Sequence, residues 1–204
     1  MGTDVLSAVE DACRDFFGTA PDRASISFLG VEPIEVMRFV ANDEVDGYVY
    51  VTKGMSRYPM TGAEELLTDV EGPRAELVVH CRGEAENLWR QLAILAAAPV
   101  VEGLVFQPGA LVDLTGPIAE ASRCTGVVVG RPEEVDPEFR SKHLSAFIPP
   151  LDWGAGFVEF LQVFPATANE LAWARVKGAQ ELHRRWIEAG TDLSDVHRVG
   201  VSLS

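Results

Sequence analysis

Gly47-Tyr48-Val49-Tyr50-Val51-Thr52-Lys53-Gly54-Met55-Ser56 is the stretch from which the fold is read. Its tyrosines and valines alternate, and a period of two sends them to opposite faces of an extended chain. Aromatic and β-branched side chains favour such a strand. Gly54 ends the run and allows a backbone turn with positive φ, and the Ser56 hydroxyl is expected to bond a backbone amide of the following loop. The stretch is a strand with two different faces, closed by a tight turn.

Working outward, similar runs predict strands over 24–29 and 34–40, with Asp43, Glu44 and Asp46 in the turn before the quoted stretch. Apolar residues at helical spacing, Val5, Val9, Ala12, Cys13 and Phe16, predict a helix over 4–17 that Gly18 stops. Downstream, 57–73 reads as a long loop with one helical turn near 64–67, and 74–82 as a strand. A helix over 84–98 carries the stripe Ala85, Leu88, Trp89, Leu92, Leu95 and Ala96, and Pro99 is expected to end it. Short strands follow at 111–115 and 126–129, a surface excursion at 130–156, and an apolar strand at 157–164. One last helix is expected from Thr167, with Glu170 at capping-box spacing, along Ala172, Val176, Ala179, Leu182 and Trp186 to Gly190. Strands and helices do not alternate throughout. The expectation is an α+β fold, a mostly antiparallel or mixed sheet covered by a few helices, as a single domain over 1–204.

Composition narrows the partner. The chain has 204 residues, 47% hydrophobic and 24% charged, which suits a packed domain and not a disordered chain. Thirty-one acids against 17 bases give a net charge of −14, which disfavours nucleic acid and anionic membrane and favours a basic protein. Half of that excess lies in residues 1–50, with ten acids and three bases. No run is apolar enough to span a membrane, and Met1-Gly2-Thr3-Asp4 lacks a basic leader, so a cytoplasmic location is expected. Cys13, Cys81 and Cys124 are three and far apart, and are expected to be buried thiols, not disulfides or metal ligands.

No catalytic set emerges. Gly54-Met55-Ser56-Arg57-Tyr58 begins like a nucleophile elbow, but Tyr58 holds the place where the elbow needs glycine. His80 and Cys81 are neighbours in a strand, so their side chains point to opposite faces. Gly154-Ala155-Gly156 lacks the third glycine of a dinucleotide loop, and the four histidines show no metal-ligand spacing. Asp192, Ser194, Asp195 and His197 have the residue types of a triad, but adjacency in sequence is not geometry. No cofactor, metal or catalytic residue is expected.

The run 48–56 resembles the signature strand and turn of the suppressor of fused family, an aromatic β-run closed by G-[LM]-S. Other features resemble the family in order: the acid-bearing strand Arg74-Ala75-Glu76-Leu77-Val78-Val79, the helix with Leu88-Trp89, the F-L-Q strand at Phe160-Leu161-Gln162, Glu170-Leu171, and the tail 191–198. The likeness covers about residues 25–198 and concerns the family's N-terminal lobe. It implies a binding fold without known catalysis. The animal member is a cytoplasmic regulator of Hedgehog signalling that holds a transcription factor by strand addition, and some bacterial members look like immunity proteins against toxins. The expectation is therefore a non-enzymatic protein-binding domain, immunity- or antitoxin-like or regulatory, with a basic toxin as the expected partner. The alternative is a small-molecule-binding regulatory domain in which Trp89, Trp153, Trp173 and Trp186 line a pocket, and a third reading is an unrecognised enzyme. The expected partner-binding residues are Asp43, Glu44 and Asp46, with Gly54, Met55 and Ser56 after the same strand.

Overall fold

Alternation along the quoted stretch becomes a strand, β3 (Tyr48–Lys53), in the computed structural model, which describes residues 4–28, 30–40, 47–62, 72–130 and 148–203. Before it come α1 (Val5–Phe17), β1 (Asp22–Phe28) and β2 (Val31–Val40). After it come β4 (Arg74–Cys81), α2 (Glu86–Glu102), β5 (Leu111–Asp113), β6 (Cys124–Gly130) and β7 (Leu151–Asp152). The remaining elements are β8 (Phe157–Thr167), α3 (Ala168–Lys177) and α4 (Ala179–Glu188).

The strands form one eight-stranded sheet in the order β1-β2-β3-β4-β8-β6-β5, with β7 paired to β8 outside that path. Among the described residues every pairing is antiparallel except β4 with β8, which runs parallel from Arg74↔Val158 to Val78↔Gln162. The sheet is therefore mixed, as an α+β chain allows.

Both faces are covered, and the alternation in β3 shows how. Tyr50 packs in the core under α2 with Leu77, Val79, Leu88, Leu92 and Leu161. Val49 and Val51 face the other way, against Val5, Val9 and Cys13 of α1. Farther along that second face, Val128, Phe164 and Ala166 meet Leu171, Leu182 and Trp186 of α3 and α4. Cys13, Cys81 and Cys124 are free and buried, as expected, and burial raises all three thiol pKa values. Among the described residues no helix is long and apolar enough to cross a membrane.

Three expected boundaries are corrected. Pro99 does not end α2, which continues to Glu102 and stops at Gly103 with φ 65. A proline removes only one helical hydrogen bond; residues 95–99 are buried and anchor the helix up to Pro99, and the exposed turn beyond it closes by the Gly103 amide donating to the Pro99 carbonyl at 3.1 Å. The strand expected to stop at 164 runs on through Pro165 to Thr167. Residue 165 stays paired with Val127 of β6, lies past the last β4–β8 pair at Gln162, and its carbonyl accepts from Arg198. The single last helix is two helices, broken at Gly178 with φ 96 and ψ 150. Ala172 and Val176 of the expected stripe are exposed; Leu171 and Ala174 make the buried face. The helical turn expected at 64–67 and most of the excursion at 130–156 lie outside the described residues, as does Leu29.

Candidate functional site

The turn after β3 is built inward. Gly54 has φ 138, and a Cβ there would stand 3.0 Å from Ile34 Cδ1 and 3.3 Å from the Pro33 carbonyl. Glycine is thus required by both conformation and space. Met55 begins a single 3-10 turn, Met55–Arg57, and Met55 and Ser56 are buried.

What the turn encloses is the Glu76 carboxylate of β4. Its Oε1 accepts from the Gly54 amide at 2.9 Å, the Ser56 amide at 3.0 Å and the Ser56 hydroxyl at 2.6 Å. Its Oε2 accepts from the Thr52 hydroxyl at 2.6 Å. That hydroxyl in turn accepts from the Leu77 amide at 2.8 Å, continuing the β3–β4 ladder one step past its last pair, Val51↔Val78. Burial pushes the Glu76 carboxyl above its ordinary range, while the two hydroxyls and two amides pull it back. The Ser56 hydroxyl therefore bonds a carboxylate, not the expected backbone amide, and is no exposed nucleophile. Arg74 closes the arrangement by donating to the Ser56 and Arg57 carbonyls at 2.8 and 2.7 Å.

Asp43, Glu44 and Asp46 lie outside the described residues. They precede β3, whereas Gly54, Met55 and Ser56 follow it, so a six-residue strand of about 20 Å separates the described trio from residue 47. The first exposed residue after the trio in sequence is Tyr58.

A second buried carboxylate organises the C-terminal segment. The capping box at Thr167 and Glu170 forms as expected. The Glu170 side chain also accepts from the Thr167 amide at 2.7 Å, Trp186 Nε1 at 2.9 Å, the Val201 amide at 3.1 Å, and Arg198 at 2.8 and 3.0 Å. Burial alone would raise this carboxyl, but the Arg198 guanidinium outweighs it and holds the pKa below the usual range. Arg198 is itself buried and donates to the Pro165 carbonyl at 2.8 Å.

The triad residue types do not form a triad. Asp192 Oδ1 accepts from both the amide and hydroxyl of Ser194, and Asp192 also pairs with Arg82. Asp195 accepts from the His197 amide, and the imidazole is exposed. These are local turns. The four tryptophans do not converge either: Trp186 and Trp173 belong to the α3–α4 core, Trp153 to the α1 side, and Trp89 of α2 packs edge-on to Tyr50. Cys81 sits in the α2-side core, while His80 lines a small cavity with Gln162 and Ser194. Among the described residues no cluster could hold a metal ion.

Sequence reading missed Glu76 and Arg198 as structural centres. The signal for Glu76 was present: an acid inside the apolar run 75–79 must find donors when that run is buried. Arg198 lies in a tail with no periodic pattern, and nothing local marks it.

Sheet order, helices on both faces and two carboxylates committed to holding loops define an α+β domain with an open mixed sheet. The sequence supplies the family. The family model for Suppressor of fused protein (SUFU) matches residues 30–199, and the chain belongs to that family. Solved structures agree in fold. A suppressor of fused homologue from Neisseria gonorrhoeae superposes with a TM-score of 0.68 at 20% identity, covering 100% of both chains. A Sufu–Fu complex gives 0.67 at 14% identity, over 98% of this chain and 93% of that one. Drosophila Suppressor of Fused gives 0.61 at 15% identity, over 98% of this chain, which spans 51% of the Drosophila protein. No curated protein matches in sequence.

Proposed function

We propose that this chain is a non-enzymatic protein-binding domain of immunity or antitoxin type, acting in the cytoplasm on a basic partner such as a toxin. The observation that carries the reading is the charge of −14, half of it within residues 1–50, on a fold shared with a protein solved as a Sufu–Fu complex. Acidic surface complements a basic protein, speeds its association and can cover a site shaped for phosphate. Asp43, Glu44 and Asp46 are the proposed landing site. Gly54, Met55 and Ser56 contribute from the far end of β3 by fixing the exposed Tyr58. The two buried carboxylates support this reading, since their oxygens are bonded to loop amides, hydroxyls and Arg198.

Affinity capture with the tagged chain from its own cells, at low and high salt, identifies the partner, which is then purified and titrated. The expected result is a basic protein whose affinity falls about tenfold or more between roughly 50 and 500 mM salt. Replacing Asp43, Glu44 and Asp46 by their amides should slow association by about tenfold. A stoichiometric partner that is acidic, or whose binding ignores salt, would overturn the proposal.

A further inference from the structure

Between the start of β4 and the β7–β8 hairpin lies a cavity of about 230 Å³, lined chiefly by Pro73, Arg74, Gly156, Phe157 and Glu159. Arg74 is its unusual member. Nη1 is taken by the Ser56 and Arg57 carbonyls, but Nε and Nη2 meet no acceptor among the described residues. The guanidinium lies 5.7 Å from the Trp153 ring centroid. No described carboxylate pairs with it, although Glu159 lines the same cavity. Burial alone moves its pKa, downward, with no acid to raise it. Partly exposed and unpaired with any described carboxylate, the guanidinium keeps a free N–H edge that can take a carboxylate oxygen pair from outside.

Three neighbours shape what that anion can be. Trp153 keeps its buried Nε1–H without an acceptor, 3.8 Å from where a Cβ on Gly156 would stand. Gly156, at φ 141, keeps the wall beside it open. Phe157 is 63% exposed and offers a flat apolar surface. One free guanidinium edge matches one carboxylate, and the volume suits a ligand of single-ring size, well under that of a nucleotide. We propose that this cavity binds a small monocarboxylate with a flat apolar body, its carboxylate on the free N–H edge of Arg74 and its body against Phe157.

The test is titration of the ¹⁵N-labelled full chain at constant ionic strength with sodium benzoate, benzyl alcohol and inorganic phosphate in turn. Benzoate should shift the Trp153 indole and the Gly156 and Phe157 amides saturably, with a Kd of about 1 mM. Benzyl alcohol and phosphate should not saturate them. Arg74→Lys keeps the charge but loses the fork, and should weaken benzoate binding about tenfold. Because Arg74 also holds the Met55–Arg57 turn, Phe157→Ala serves as the variant safe for folding, with a loss of roughly 3- to 5-fold. Absence of saturation with benzoate, an equal response to benzyl alcohol, saturation by phosphate at the same concentration, or unchanged binding in Phe157→Ala would each overturn the proposal.

Discussion

Removing the Glu76 side chain tests whether the Gly54–Ser56 turn is held by a buried acid. In Glu76→Ala four donors lose their acceptor: two backbone amides and two hydroxyls. The hydroxyls can rotate toward other acceptors, but the amides of Gly54 and Ser56 cannot. Each buried donor left unsatisfied costs ~1–3 kcal/mol, so the two amides alone set a loss of about 4 kcal/mol. For a chain of this size that corresponds to a fall in Tm of roughly 8–16 °C. Glu76→Gln keeps one carbonyl oxygen for both amides and disturbs only the Thr52 contact, so about 1–2 kcal/mol is expected. The pH dependence has a definite sign. Burial raises the folded pKa of Glu76 above the ordinary carboxylate value, so the folded state holds its proton longer than the unfolded state. Wild-type stability from this group therefore falls as pH rises from about 4.5 through the folded pKa, and Glu76→Gln lacks that fall. Urea unfolding followed by tryptophan fluorescence, at pH 4 and pH 7, should show a larger wild-type advantage over Glu76→Gln at the lower pH. An alanine variant within about 1 kcal/mol of wild type would refute the reasoning, since unsatisfied amides could not then be in the folded state.

Other perturbations have separate readouts. Gly54→Val forces a β-branched residue to φ 138, with a Cβ 3.0 Å from the Ile34 side chain. Calorimetry should show a loss of about 3 kcal/mol or more, and an unchanged Tm would exclude the strain argument. Arg198→Met leaves the Glu170 carboxylate buried without its cation and should cost about 3–5 kcal/mol in chemical unfolding. In wild type that pair has a depressed carboxyl pKa, so its stability is present above the ordinary carboxylate range and is lost as pH falls through the folded value; Arg198→Met should flatten this part of the acid-unfolding curve. Hydrogen bonds from Arg23 and Lys53 lower the Glu10 carboxyl to about 2, which a ¹³C carboxyl titration reads directly; a midpoint near 4 would mean the cluster is open in solution.

Local periodicity carried most of the fold, because burying a face leaves a mark at fixed spacing. The alternation in β3, the stripe of α1 and the capping box at Thr167 each depend on residues within one turn or one strand of each other. The misreadings occur where a distant partner overrides a local rule. Pro99 reads as a stop, but it sits at the end of a stretch anchored by a core that no window of α2 contains, and its own carbonyl closes one more turn with the Gly103 amide. The strand expected to end at 164 continues through Pro165, whose carbonyl is taken by Arg198, 33 residues away. Gly178 went unread because one glycine inside a periodic stripe is a weak signal, yet its φ of 96 divides α3 from α4. The candidate site shows the same division. That Gly54 must be glycine was legible in the turn, but the reason, an acid 22 residues away, was not. A buried carboxylate is satisfied by whichever donors the fold brings to it, and donors on backbone amides leave no trace in residue type. The Gly-Met-Ser turn thus marks the place where β3 and β4 are locked together around Glu76, and a partner surface must be sought among the exposed residues that this lock positions.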